Sequence, residues 1–121
     1  MKKDTNKKII IGFSIGDYNG IGPEILLKSF SDSKLLHNFI PVVFCDKHIL
    51  EFYSKRYGHE FKIKETNNLD SITDDNSIYT FPISNTEIEI LPGEIKKESG
   101  NYAVKSLEEC TNAQKIGRAH V

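Results

Sequence analysis

The 121-residue chain reads as an α/β protein built on a parallel sheet. Three observations carry this. Strand-like and helix-like segments alternate over the first half of the chain, and the strand segments are apolar on both faces. A glycine-rich turn, "SIGDYNGIGPEI" from Ser14 to Ile25, joins the first strand to a helix. In α/β proteins such a turn lies at the carboxyl edge of the sheet, where ligands bind.

Each element follows from its residues. Ile9, Ile10, Ile11, Phe13 and Ile15 form a nearly continuous apolar run, predicting a first strand buried on both faces. Gly22 and Pro23 predict the cap and first turn of a helix, since proline lacks an N–H that would have no partner there. Ile25, Leu26 and Phe30 share that helix's inner face. Asp32 or Ser33 caps a second short helix carrying Leu35, Leu36 and Phe39, which Pro41 stops. Val42 to Cys45 form the second buried strand. Asp46 caps the next helix, where Ile49, Leu50, Tyr53 and Tyr57 share a face and Gly58 ends the element.

The second half is less regular. Glu65 to Ser77, "ETNNLDSITDDNS", is polar without a period and reads as a surface loop. "IYTFPI" and "TEIEIL" alternate, predicting short strands with one wet face near a sheet edge. From about Ser99 a helix carries Ala103, Leu107, Cys110 and Ala113 on one face. There is no internal repeat.

Composition narrows the function classes. Lys and Arg number 16 against 17 Asp and Glu, a net charge of -1, so no overall field selects for nucleic acid or a membrane surface. No stretch approaches the roughly 20 apolar residues that span a bilayer. The apolar run after the basic start ends in a Gly-Asp turn without a small-residue cleavage site, unlike a signal peptide. A cytoplasmic location is expected. Cys45 and Cys110 have no metal-type spacing and are expected to be free, buried thiols. His37, His48, His59 and His120 lack ligand-like pairing and read as solvated or helix-surface residues; Lys96 and Lys97 read as solvated surface. No metal ligand and no catalytic residue is assigned within the chain. Residues 1–7 are expected to be a disordered basic terminus and 8–115 the α/β domain.

The glycine turn carries the chemistry. Gly20 and Gly22 let the backbone approach a ligand or take positive φ, Asp17 and Asn19 offer polar contacts, and Ile21 offers an apolar one. The same glycines also serve a plain tight turn, and Glu24 suits the helix dipole without further role. Read as GxxxGxG, Gly16, Gly20 and Gly22 resemble the cofactor turn of short-chain dehydrogenases, with Asp46 as the ribose-binding acid. Against it, no tyrosine in the sequence has a lysine four places later; on that reading the family's Tyr-x-x-x-Lys pair would lie beyond residue 121.

The longer string is more distinctive. "GDYNGIGPEILLK" resembles the Gly-Ile-Gly-Pro-Glu motif of the isocitrate and isopropylmalate dehydrogenases, and within that superfamily it is most similar to the 4-hydroxythreonine-4-phosphate dehydrogenase family. "GEIKKESGNYAVKSLEECTNA", Gly93 to Ala113, resembles a second segment of that family, so the likeness runs from Lys8 to Ala113. Tyr18 departs from it, standing where the family often has proline or an aliphatic residue.

The resemblance implies a three-layer α/β/α fold of the isocitrate/isopropylmalate dehydrogenase kind, present here in incomplete form as an N-terminal fragment. It implies oxidation of a phosphorylated hydroxy-amino acid, 4-phosphooxy-threonine, by NAD or NADP, with decarboxylation to 3-amino-2-oxopropyl phosphate in pyridoxal phosphate synthesis. It further implies a homodimer and a divalent metal (Zn, Mg or Co) held by histidines of later segments. Cofactor-binding residues would be Asp17, Asn19, Gly20, Ile21 and Gly22, beside the nicotinamide half. A non-catalytic module binding a nucleotide or phosphate through the same turn is the reading from another class.

The last six residues, "IGRAHV", break the helical pattern. They match one reading frame of a common sequencing adapter, so 116–121 are expected to be a non-native tail. A fragment of this kind is expected to be inactive, and its open sheet prone to aggregation.

Overall fold

The computed structural model describes residues 8–32, 34–73, 75–84 and 86–115. The expected basic terminus, the tail with His120, and Ser33 lie outside them. The elements are β1 (Ile9–Ser14), α1 (Gly22–Phe30), β2 (Phe39–Phe44), α2 (Lys47–Tyr57), β3 (Ile63–Glu65), β4 (Ile78–Thr80) and α3 (Lys97–Lys115). The four strands form one sheet in the order β1-β2-β4-β3, and all pairs are parallel. The expected α/β class is observed.

Alternation along β2 builds three layers. Val43 and Cys45 face a cluster with Leu27 and Phe30 of α1 and Ile49, Leu50 and Tyr53 of α2. Ile40, Val42 and Phe44 face the other way, against Cys110 and Ala113 of α3. Both cysteines are free and buried, as expected.

Several elements differ from the sequence reading, each for a physical reason. β1 lies at the sheet edge, so Ile9 is 50% exposed and its neighbours are half-buried, where burial on both faces was expected. On α1 the buried residues are Pro23, Leu27 and Phe30, at i, i+4 and i+7; Ile25 faces solvent. The second short helix shrinks to a 3₁₀ turn at Leu35–His37, and Pro41 sits inside β2 rather than stopping a helix. It is tolerated there because pairing with β4 begins one residue later, at Val42.

β4 is interior and wholly buried, with no wet face, and β3, three residues at the far edge, carried too little apolar signal to be read. Among the described residues of 65–77, only Glu65, in β3, and a 3₁₀ turn at Leu69–Ser71 are regular. "TEIEIL" pairs with no strand among the described residues. It instead crosses the carboxyl edge of the sheet as a strap.

Candidate functional site: the glycine turn and its strap

The turn after β1 is held by its own backbone and by α3. Gly16 takes φ 75°, a left-handed conformation costly for any side chain. Asp17 accepts the Asn19 N–H on Oδ1 (2.8 Å) and the Gly20 N–H on its carbonyl (2.9 Å). A Cβ at Gly22 would lie 2.7 Å from the Ile15 carbonyl oxygen. Gly22 is therefore glycine because the chain packs on itself there. It does not have positive φ, and neither does Gly20, contrary to one of the two roles expected of them.

Ser106 on α3 ties the ends of β1 and β2 together. Its Oγ accepts the Ile15 N–H (3.0 Å) and donates to the Phe44 carbonyl (2.6 Å). One turn earlier, the Tyr102 hydroxyl donates to Asp46 Oδ2 (2.6 Å) and accepts the Asp46 N–H (2.8 Å). Burial, then the bond to Asp46, pushes the Tyr102 phenol far above the ordinary tyrosine range. Tyr18 is buried edge-to-face against Tyr102, with ring centroids 5.1 Å apart, and its carbonyl accepts the Tyr53 hydroxyl. An aromatic thus fits where the resemblance leads one to expect proline or an aliphatic residue.

The strap is held by side chains where a strand would be held by a ladder. Asp46 Oδ1 accepts the Ser84 N–H (3.3 Å), and His48 Nε2 accepts the Ile88 N–H (3.1 Å). Asn19 Oδ1 accepts the Leu91 N–H and its carbonyl the Gly93 N–H, each at 2.7 Å. His48, a half-buried residue at the start of α2, therefore has a structural partner in the strap. Asp46 occupies the N-cap position of α2 but makes no capping bond, its carboxylate being taken by Tyr102 and Ser84. Those partners leave it poorly placed to bind a ribose.

Asp17, Asn19, Gly20, Ile21 and Gly22 are thus brought together in one corner but differ in exposure. Ile21 is 75% exposed at the N-cap position of α1, which no side chain caps. Asn19 is 2% exposed. A cavity of about 410 Å³ lies between turn and strap, lined among others by Tyr18, Asn19, Leu91 and Tyr102. A larger, more open trough of about 770 Å³ runs along the C-terminal half of α2 to Ile63 and touches none of these residues. Tyr102, Ser106 and the strap were missed by the sequence reading. Ser99, Tyr102, Ser106, Cys110 and Ala113 follow a helical spacing, but their polar members hide the stripe from an apolar count.

Among the described residues no group of three or more His, Cys, Asp or Glu is placed to hold a metal ion. They do not fit the divalent cation that the resemblance implies. No helix among them is long and apolar enough to cross a membrane.

No family model matches the chain. It is 31% identical over 119 residues to a putative D-threonate 4-phosphate dehydrogenase of Oceanobacillus iheyensis, covering 92% of this chain and 35% of that protein. It is 26% identical over 110 residues to a 4-hydroxythreonine-4-phosphate dehydrogenase of Bacteroides thetaiotaomicron, covering 91% and 30%. The chain thus spans about a third of the length of the curated relatives it matches. A crystal structure of a 4-hydroxythreonine-4-phosphate dehydrogenase from Burkholderia phymatum superposes with a TM-score of 0.85 at 21% identity, over 94% of this chain and 35% of that one. A terephthalate 1,2-cis-dihydrodiol dehydrogenase from Burkholderia xenovorans superposes at 0.69 and 21% identity, over 93% and 32%. The resemblance read from the glycine turn and from Gly93 to Ala113 is upheld by relatives of that name, and the expected fold by these structures.

Proposed function

We propose that this chain, which shares sequence and fold with about a third of the length of the 4-hydroxythreonine-4-phosphate dehydrogenases, forms the cofactor-side wall of an oxidoreductase of that kind. The substrate is a small phosphorylated hydroxy acid or hydroxy-amino acid, and the cofactor is NAD or NADP. When bound, the cofactor supplies a hydride acceptor. The chain's own residues shape its seat: Gly16 and Gly22 fix the path of the turn, Asp17 closes it, and Ile21 presents an apolar surface. Decarboxylation of the oxidised product, a divalent cation held by residues other than those described, a homodimeric assembly and a cytoplasmic setting complete the reading.

The observation that carries it is the pairing of a rigid glycine corner at the carboxyl edge of a parallel sheet with a side chain, Ile21, held 75% exposed. Calorimetry of the 121-residue chain with NAD and with NADP, with and without a divalent cation, tests it. Saturable binding of one dinucleotide is expected. Ile21→Asp should weaken it at least about tenfold, with little change in stability because the residue is exposed. Heat signals for neither dinucleotide would contradict the reading.

A further inference from the structure

Asp46, His48 and Asn19 fasten the strap, and one of these contacts depends on a proton. Asp46 holds one end through the Ser84 N–H, and Asn19 holds the other through the Leu91 and Gly93 N–H groups. Between them the Ile88 N–H meets Nε2 of His48 at 3.1 Å. The backbone group is the donor, so Nε2 must offer a lone pair and the neutral ring carries its proton on Nδ1. An imidazolium bears a proton on both nitrogens and has no acceptor left. Protonation therefore replaces a hydrogen bond by two donors facing each other.

Imidazole is the side chain whose charge ordinarily changes between about pH 5 and 8. The charged groups around His48 come from several elements. On α2 the Asp46 carboxylate is taken by Tyr102 and Ser84, and Lys47 pairs with Glu51 at 3.7 Å. On the strap Glu87 and Glu89 flank Ile88, and Lys96 and Glu98 line the cavity with Glu89. From the glycine turn and α1, Asp17 and Glu24 act on α2 at Tyr53. His37 and His59 line a different cavity, whose walls include no strap residue.

We propose that His48 is a proton-operated latch on the strap. With a neutral ring it closes residues 86–90 over the cavity of about 410 Å³; protonated, it releases them while Asp46 and Asn19 keep the two ends in place. The strap joins no strand among the described residues, so no ladder of backbone bonds replaces the one that is lost. Ile88 and Ile90 still pack against the core, which confines the change to a local loosening. Access to the cavity then follows pH, whatever the cavity holds, and the inference stands apart from the cofactor reading.

The test follows the isotope-labelled 121-residue chain by NMR from about pH 8 to about pH 5, reading the His48 ring nitrogens and the exchange of single amides with water. At the upper end the ring should carry its proton on Nδ1. Protection of the Ile88 amide, taken relative to its intrinsic exchange at each pH, should fall at least about fivefold with the midpoint of His48, while Leu91 and Gly93 keep theirs. His48→Gln offers a carboxamide oxygen in place of Nε2 and does not titrate, so protection at Ile88 should stay level across the range. His48→Phe, which has no acceptor, should show the low value throughout. A ring protonated on Nε2 at pH 8, an Ile88 amide indifferent to His48 titration, or the same loss in His48→Gln would overturn the inference. So would a loss shared equally by Leu91 and Gly93, which would mark general acid unfolding.

Discussion

A single methyl group added at Gly22 measures how tightly the corner is packed. Its Cβ would sit 2.7 Å from the backbone oxygen of Ile15, which has no flexible end to swing away. Gly22→Ala is expected to cost about 1–3 kcal/mol by denaturant unfolding, the usual range for overpacking. No such clash awaits a Cβ at Gly16, where strain at φ 75° is the cost instead. Ser106→Ala removes an acceptor from Ile15 and a donor from Phe44 within the core, with an expected loss of about 1–3 kcal/mol. Restoration by threonine, which keeps the hydroxyl, would show that the hydrogen bonds matter more than the volume. The composition of the corner was legible from sequence because glycine and proline announce a turn directly. The reason for each glycine was not, because a close approach between Gly22 and Ile15 depends on where two backbone segments meet in space.

Helices α2 and α3 and the strap show what sequence patterns resolve about an element. α2 was read correctly at Ile49, Leu50 and Tyr53, where the inner stripe is wholly apolar. α3 was read correctly at Cys110 and Ala113, but Leu107 is 52% exposed, because the stripe runs through Ser99, Tyr102 and Ser106. "TEIEIL" has the alternation of a strand without a neighbouring strand to pair with, and its N–H groups go to Asn19 and His48. A period reports which faces differ in polarity, and carries no information about partners. Between β3 and the loop before β4, the Lys64 ammonium bonds the Asp75 carboxylate. Partial burial works to raise the Asp75 pKa, but hydrogen bonds from Lys64 and Ser77 outweigh it and hold the carboxyl at about 2, against an ordinary 3.8. The folded pKa is depressed, so this contribution is present above pH 3.8 and is lost as pH falls toward 2. Lys64→Ala should move the Asp75 titration, followed by NMR, back up toward its ordinary value and make the chain less resistant to acid over that interval.

For the whole molecule, the alkaline limb of stability follows from groups buried in their neutral form. Burial, reinforced by the Asp46 charge, holds the Cys45 thiol well above its ordinary 9.0. The Tyr102 phenol lies far above 10.0 through burial and its bond to Asp46. Both folded pKa values are raised, so this stability is complete below about pH 9 and declines as the unfolded chain ionises above it. Unfolding free energies measured from pH 7 to 11 should fall beyond pH 9, and less steeply in Tyr102→Phe once its lower starting stability is subtracted. The sheet itself leaves the outer edge of β1 unpaired among the described strands, with Ile9 half exposed beside it. Concentration-dependent self-association by sedimentation is expected, and Ile9→Lys should reduce it, since a charge on an open edge opposes strand pairing. The strand-helix alternation made the fold class readable, whereas the position of β1 at an edge comes from the order of strands in space.

Backbone amide mapping with NAD separates the two hollows of the molecule. If the glycine corner is the cofactor wall, Gly20, Ile21 and Gly22 should shift saturably while the trough at Phe52, His59 and Phe61 stays silent. Shifts confined to that trough would contradict the account.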